Sequence, residues 1–163
     1  MIIPFLEKVN LLSYSDSSSE AHFAVTAIRK KIILAIENAS PATMKQKMIL
    51  LFLPKNEHYD LLLLYMTYVI KSSGFRILYL GTNISTENLK TVSIAKKPDY
   101  FFSYITPKHP FKIQDFAHFL NEHLSESKLF VAGCKDGLQQ EESLPNVRFI
   151  HYKDIATVIK EVA

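Results

Sequence analysis

The sequence predicts an α/β protein with a five-stranded parallel sheet. From about residue 47 onward, short apolar runs alternate with segments whose apolar residues recur every three or four positions. This is the pattern of strands alternating with helices. The first run, residues 48–53, is apolar throughout and ends at Pro54, which is typical of a strand buried on both faces. Strands and helices in alternation favour a parallel sheet covered by helices on both faces.

The elements follow in order along the chain. Predicted strands cover residues 48–53, 75–80, 100–105, 129–133 and 147–151, and predicted helices cover residues 58–73, 85–96, 111–124 and 155–162. Gly74 is a good C-cap for the first of these helices, and Gly81 is expected to end the second strand. Right-handed crossovers then give a doubly wound, flavodoxin-like (Rossmann-like) sheet, which binds ligands at the carboxyl ends of its strands.

The first 40 residues show only helical spacing. Residues 3–12 suggest a short amphipathic helix, and residues 16–20 offer N-cap oxygens to a longer one that ends before Pro41. We therefore expect a helical segment at residues 1–42, followed by the sheet domain at residues 46–163.

Composition narrows the classes of protein. With 48% hydrophobic and 21% charged residues, the chain has enough apolar surface to form a core. Its apolar runs are shorter than the roughly 20 residues of a membrane span, and no secretory signal is visible, so we expect a cytoplasmic protein without membrane contact. A single cysteine, Cys134, excludes an internal disulfide and a multi-thiolate zinc site.

The sequence shows little sign of a nucleotide-binding site or a metal site. The four glycines form neither a dinucleotide-binding nor a P-loop motif, and a net charge of +3 is no nucleic-acid signature. His118 and His123 are five apart and do not share a helix face, so no metal site is expected. Cys134 has no local base to activate it as a nucleophile.

The segments that follow the predicted strands carry a resemblance. Residues 53–64, then Ser73-Gly74, then residues 78–81 resemble the cobalamin-binding domain of MerR-type transcriptional regulators, the CarH/LitR-like sensors. The resemblance covers almost the whole chain. Its helical beginning is similar to the end of the bundle that caps the corrin, while the family's winged-helix DNA-binding domain has no counterpart in this sequence.

The family's three cobalamin motifs can be placed by spacing. The motif Asp/Glu-x-His-x-x-Gly falls on Glu57–Leu62, Ser-x-Leu on residues 103–105, and Gly-Gly on Ala132-Gly133. Forty residues separate Leu62 from Ser103, and 26 separate Ile105 from Ala132, close to the family pattern.

Several family residues are replaced. Tyr59 stands where the family has its cobalt-ligating histidine, and a phenol is a poor neutral ligand for cobalt. Leu62 replaces the glycine beside which the nucleotide tail of cobalamin runs, and Ala132 replaces the first glycine of the pair. Glu57 and Ser103 are retained. The family also has a Glu-His pair over the upper face of the corrin, and here Ala21 replaces the glutamate while His22 is retained.

We therefore expect the fold without the cofactor. The resemblance implies an effector or oligomerisation domain of a regulator, not an enzyme, with cobalamin as the family ligand but no cofactor and no metal in this chain. It also implies a homo-oligomer formed through helical and rim surfaces, and no direct DNA binding by this segment. The vestigial site positions are Glu57, His58, Tyr59, Leu62, Gly81, Ser103, Ala132, Gly133 and His22.

Three alternatives stay open. The chain could retain cobalamin or bind another tetrapyrrole, a flavin or a small metabolite as a sensor, with His22 or His109 nearby. A one-residue slip would bring His58 into the position of the axial ligand. The chain could also be a corrinoid carrier of a methyltransferase-type enzyme.

Overall fold

A computed structural model describes residues 19–57, 60–106, 109–133 and 144–162. The short helix predicted at residues 3–12, the cap at residues 16–18, and His58, Tyr59 and Cys134 lie outside the described residues. No helix in the described ranges combines the length and the apolarity that crossing a membrane requires.

The elements alternate as the sequence predicts. The helices are α1 (Ser19–Asn38), α2 (Asp60–Ser72), α3 (Thr86–Lys96), α4 (Ile113–His123) and α5 (Ile155–Glu161), which a 3₁₀ turn (Tyr152–Asp154) precedes. The strands are β1 (Met48–Pro54), β2 (Arg76–Ile84), β3 (Tyr100–Tyr104), β4 (Lys128–Gly133) and β5 (Val147–His151).

The five strands form one parallel sheet in the order β2-β1-β3-β4-β5. This order confirms the predicted flavodoxin-like fold. It reverses direction between β1 and β3, and such a switch point opens a crevice at the carboxyl edge of the sheet. The division into a segment at residues 1–42 and a domain at residues 46–163 stays a prediction.

The two faces of the sheet carry separate cores. Leu51, Phe102 and Phe130 point to the face covered by α1, α2 and α5. Phe52 and Phe101 point to the opposite face, covered by α3 and α4. Because strand side chains alternate between faces, neighbouring residues of one strand belong to different cores.

Strand β2 is longer than predicted, because Gly81 does not end it. The strand continues to Ile84, and the pairing shifts from Leu51 with Tyr79 to Phe52 with Gly81, so one residue is left out of register. Gly81 has φ +84°, a conformation that glycine adopts freely and that forms a bulge inside a strand. The prediction that the strand ends at Gly81 is wrong, since this glycine bends the edge strand instead.

Helix α1 runs alongside α2 in the same direction. Arg29 pairs with Asp60, the first residue of α2, at 2.6 Å, and the Lys71 ammonium near its end donates to the Ile36 carbonyl. Since α2 begins at the carboxyl edge of the sheet, the part of α1 that precedes Arg29 extends beyond that edge. Arg29 lies ten positions after Ser19, which corresponds to about 15 Å of helix.

Candidate functional site

A buried carboxylate closes the crevice between β1 and β3. Glu57 follows β1 and is 4% exposed. Its Oε2 accepts hydrogen bonds from the Thr106 backbone N–H at 3.0 Å and from the Thr106 hydroxyl at 3.1 Å. Asn56, at φ +72°, turns the chain so that Glu57 donates its own N–H back to the Pro54 carbonyl. The loops that leave the two central strands are thus joined at the switch point.

A histidine joins the same two loops a second time. His109 Nε2 lies 2.9 Å from the Lys55 carbonyl oxygen, and the Phe111 N–H donates to Nδ1 at 3.0 Å. With Nδ1 accepting, Nε2 must carry the proton and donate it to Lys55. A neutral imidazole of this tautomer is held by both neighbours, so His109 acts as a loop tie in this structure.

Behind the carboxyl edge, the layer between the sheet and α2 and α5 is filled with side chains. Leu62 is 7% exposed and belongs to this core, as do Ala132 and Tyr104. Phe102 stacks on Phe130 with their ring centroids 4.7 Å apart. The side chains of Leu62, Phe102 and Phe130 therefore occupy the space between α2 and the sheet.

Ser103 lies on the other face of the sheet. Its strand partners, Phe52 and Val131, both point toward α3 and α4, whereas Ala132 points to the opposite face, where Leu62 of α2 packs in the same core. In the described part of the chain, Ser103 Oγ is the one buried side-chain polar atom without a hydrogen-bond partner. The structure brings Glu57 to the switch point but does not bring Ser103 onto the face of Leu62.

The remaining site positions are spread along the edge. Gly133 ends β4 and pairs with His151, and Gly81 lies in the outer strand β2. His22 belongs to the projecting start of α1, where only the backbone is described. His58 and Tyr59 lie outside the described residues. No group of three His, Cys, Asp or Glu that could hold a metal is present among the residues searched.

Sequence reasoning missed the link between α1 and the site. Both Nε and a terminal nitrogen of Arg29 approach Asp60 Oδ2, at 2.9 and 2.6 Å. Burial, and then the charge of Asp60, raise the pKa of the nearby Tyr79 phenol, while Arg29 lowers it. The only sequence signal was an acidic residue in the first turn of α2, and this feature by itself favours nothing more than helix capping.

Comparisons with known proteins agree on the fold. No protein-family model matches the sequence, and no curated protein sequence matches it. The monomethylamine corrinoid protein of Methanosarcina barkeri is similar, with 17% identity and a TM-score of 0.62 over 86% of this chain and 67% of its own. The chain has the fold of a cobalamin-binding domain.

Two further solved structures share this fold. The methanol:cobalamin methyltransferase complex MtaBC of M. barkeri has 12% identity and a TM-score of 0.60, over 96% of this chain and 62% of its own. A cobalamin-binding protein of Desulfitobacterium hafniense DCB-2 has 13% identity and a TM-score of 0.53, over 73% of this chain and 60% of its own. This chain thus spans about 60 to 67% of the length of these proteins.

The prediction that this chain has no cofactor is wrong. Its fold is shared with these three solved structures, each of which is named for a corrinoid or for cobalamin. The physical reason for the error is that Tyr59 and Leu62 bear on one way of holding cobalamin, through an axial histidine and a buried tail.

Proposed function

We propose that this chain binds a corrinoid across the carboxyl edge of its sheet and serves as the effector domain of a transcriptional regulator, without catalysing a reaction itself. The observation that carries the proposal is the switch point between β1 and β3, where Glu57 and Thr106 join the loops that follow the two strands. It lies in a fold shared with corrinoid proteins.

The edge suits a flat, polar-rimmed ring. Hydrogen bonds of the Glu57–Thr106 pair and of His109 hold the loops at the ends of β1 and β3 together. Loops fixed in this way favour precise positioning of a ligand. The start of α1, with Phe23 exposed by 77%, offers apolar surface at the same end of the molecule. A bound corrinoid would supply a cobalt centre with an exchangeable axial ligand, and the chain's own residues would orient the ring and limit its contact with water.

A regulator fits the resemblance of the motifs to MerR-type sensors. Helix α1 packs on the sheet domain through the core residue Ile32, and an ion pair, Arg29–Asp60, with side chains 37% and 32% exposed, joins the two nearer the carboxyl edge. The ion pair itself contributes little to stability, so a ligand at that edge could shift it without displacing the packed part of α1. DNA contact would then belong to a separate winged-helix segment, and the cytoplasmic location stays a prediction.

A corrinoid carrier is the second candidate. Two of the similar structures, the monomethylamine corrinoid protein and the methanol:cobalamin methyltransferase complex, favour it. A sensor changes its assembly when its ligand binds, whereas a carrier keeps its assembly and passes the cofactor to an enzyme. Sizing the protein with and without ligand therefore separates the two.

Apolar side chains on α1 support self-association. Phe23 and Leu34 are 77% and 56% exposed and lie three turns apart, close to one line along the helix. We expect Phe23→Glu combined with Leu34→Glu to shift any oligomer toward monomer in light scattering. Ile94→Glu, at a residue 51% exposed on α3, is the matched control and should leave the assembly unchanged.

Binding itself is tested by titration with aquacobalamin. We expect a saturable change in the visible spectrum, a dissociation constant of about 10 μM or lower, and co-elution of cobalt with the protein on gel filtration. A spectrum that stays that of free aquacobalamin, together with cobalt eluting apart from the protein, contradicts the proposal.

A further inference from the structure

We infer that the site binds the corrin ring alone and leaves the nucleotide tail of the corrinoid outside the fold. The ligand class is then corrinoids in general, complete or tailless, with any lower base. This inference rests on the proposed function and specifies which part of the ligand that function recognises.

The first step is the packing below the edge on the α2 side. A tail that entered there would need a channel beside α2, where Leu62 is 7% exposed and Ala132 is fully buried. The stacked rings of Phe102 and Phe130 fill the adjoining space, and Tyr104, 9% exposed, lies on the same face nearer the edge. Protein interiors of this kind contain few voids larger than a water molecule, so an aromatic base in this layer would have to displace the side chains described there.

The second step is the packing on the opposite face. Phe52 lies 6.0 Å from Phe111 and 6.2 Å from Phe116 between ring centroids. Ile105, the residue after β3, is 2% exposed on this face. The Ser103 hydroxyl is enclosed here without a partner, so it is covered by side chains and does not line an open channel.

The third step is the entrance. A tail passing between β1 and β3 would have to cross the crevice at the switch point. The two Thr106 hydrogen bonds to Glu57 and the His109 bond to the Lys55 carbonyl span that crevice. Opening it would leave a buried carboxylate without these donors, which is costly. Within the described residues, the chain's own groups thus occupy both the route and the destination.

The experiment compares three ligands on the whole chain by equilibrium dialysis. They are aquacobalamin, diaquacobinamide, which lacks the nucleotide tail, and pseudocobalamin, whose tail ends in adenine. A dimethylbenzimidazole buried like an aromatic side chain would favour aquacobalamin on the order of 100-fold. With the tail outside, we expect the three dissociation constants to agree within about threefold.

A competition provides a second readout that does not depend on how tightly each corrinoid binds. α-Ribazole, the free tail nucleoside, should not displace bound cobinamide or change the affinity of the chain for it. A preference for aquacobalamin above about threefold, or an effect of α-ribazole on cobinamide binding, overturns the inference while the proposed function stands. Failure of all three corrinoids to bind overturns the proposed function and the inference together.

Discussion

Leu62 is a core residue in this fold, although its motif position is occupied by glycine in the regulators that the sequence resembles. Its side chain is 7% exposed and packs in the cluster that holds Met66 and Phe102. Burial of a whole leucine side chain contributes substantially to stability, and its removal leaves a cavity that close-packed neighbours fill only in part. The residue therefore stabilises the layer that excludes a corrinoid tail.

We expect Leu62→Ala to lower the free energy of unfolding by about 2–4 kcal/mol. Ile94→Ala, at an isoleucine 51% exposed on α3 and outside the proposed self-association surface, is the control and should change it by less than about 0.5 kcal/mol. Urea denaturation followed by circular dichroism measures both. Equal small effects would mean that Leu62 does not pack as described.

Glu57 and Thr106 form the link at the switch point, and a double-mutant cycle measures it. Thr106→Val removes one of the two donors to the carboxylate and should cost about 1 kcal/mol. Glu57→Ala removes both hydrogen bonds and should cost about 1–3 kcal/mol. Because the two residues share the interaction, the costs should not add in the double variant. Additive costs would show that the pair is not coupled.

At the residue scale, the sequence could identify Glu57 but not its partner. Its carboxylate is recognisable as a motif residue, yet Thr106 is 49 positions away, and only the sheet order brings the two together. Ser103 shows the opposite case. Its spacing from Leu62 placed it in a shared site, while the alternation of β3 puts its side chain on the other face.

Two glycines define how the elements join, and they differ in what surrounds them. Gly74 follows α2 at φ +87°, and a Cβ there would overlap the Thr43 carbonyl. Gly81 has φ +84°, but its Cβ would lie 3.5 Å from the Tyr79 ring, an ordinary contact. Gly74 is needed because of its backbone conformation and because a side chain would overlap Thr43, whereas Gly81 is needed because of its backbone conformation alone.

We expect Gly74→Ala to destabilise the protein on the order of 3 kcal/mol, since strain and overlap act together. Gly81→Ala should cost about 1 kcal/mol, the penalty of the left-handed conformation alone. Thermal unfolding of the two variants gives the comparison. A larger loss for Gly81→Ala than for Gly74→Ala would contradict the described environments.

We expect the Arg29–Asp60 ion pair between α1 and α2 to position the start of α1 and to contribute little to the stability of the fold. Its groups are partly exposed, so Arg29→Met should change the free energy of unfolding by no more than about 1 kcal/mol. If the start of α1 contacts the ligand, losing this anchor should weaken corrinoid binding by about fivefold or more. Calorimetric titration with aquacobalamin measures the change.

The matched control for that variant is Arg148→Met. It breaks the Arg148–Glu161 ion pair, also 2.6 Å long, which joins β5 to α5 away from α1. Corrinoid affinity should stay as in the unaltered protein. An equal loss of affinity in both variants would mean that α1 has no particular role at the site.

For the whole molecule, the fold was predictable because the burial of strands and helices determines how apolar residues are spaced along the sequence. Met48–Pro54 is a continuous apolar run since both sheet faces are covered, and α2 ends where Gly74 permits a left-handed turn. The bulge at Gly81 was not predictable, since a glycine that ends a strand and one that bends it look alike in sequence. The prediction of no cofactor rests on replaced motif residues such as Tyr59 and Leu62, although open parallel sheets generally bind ligands along the carboxyl ends of several strands.

Hydrogen exchange of the protein with and without aquacobalamin tests the central claim most directly. We expect added protection at the carboxyl edge, in residues 55–57, 104–106 and 133, and in the start of α1 at residues 19–28. The opposite edge, at residues 43–47 and 125–128, should exchange at an unchanged rate. Unchanged exchange at the carboxyl edge, or protection confined to the opposite edge, would contradict a corrinoid site at the switch point between β1 and β3.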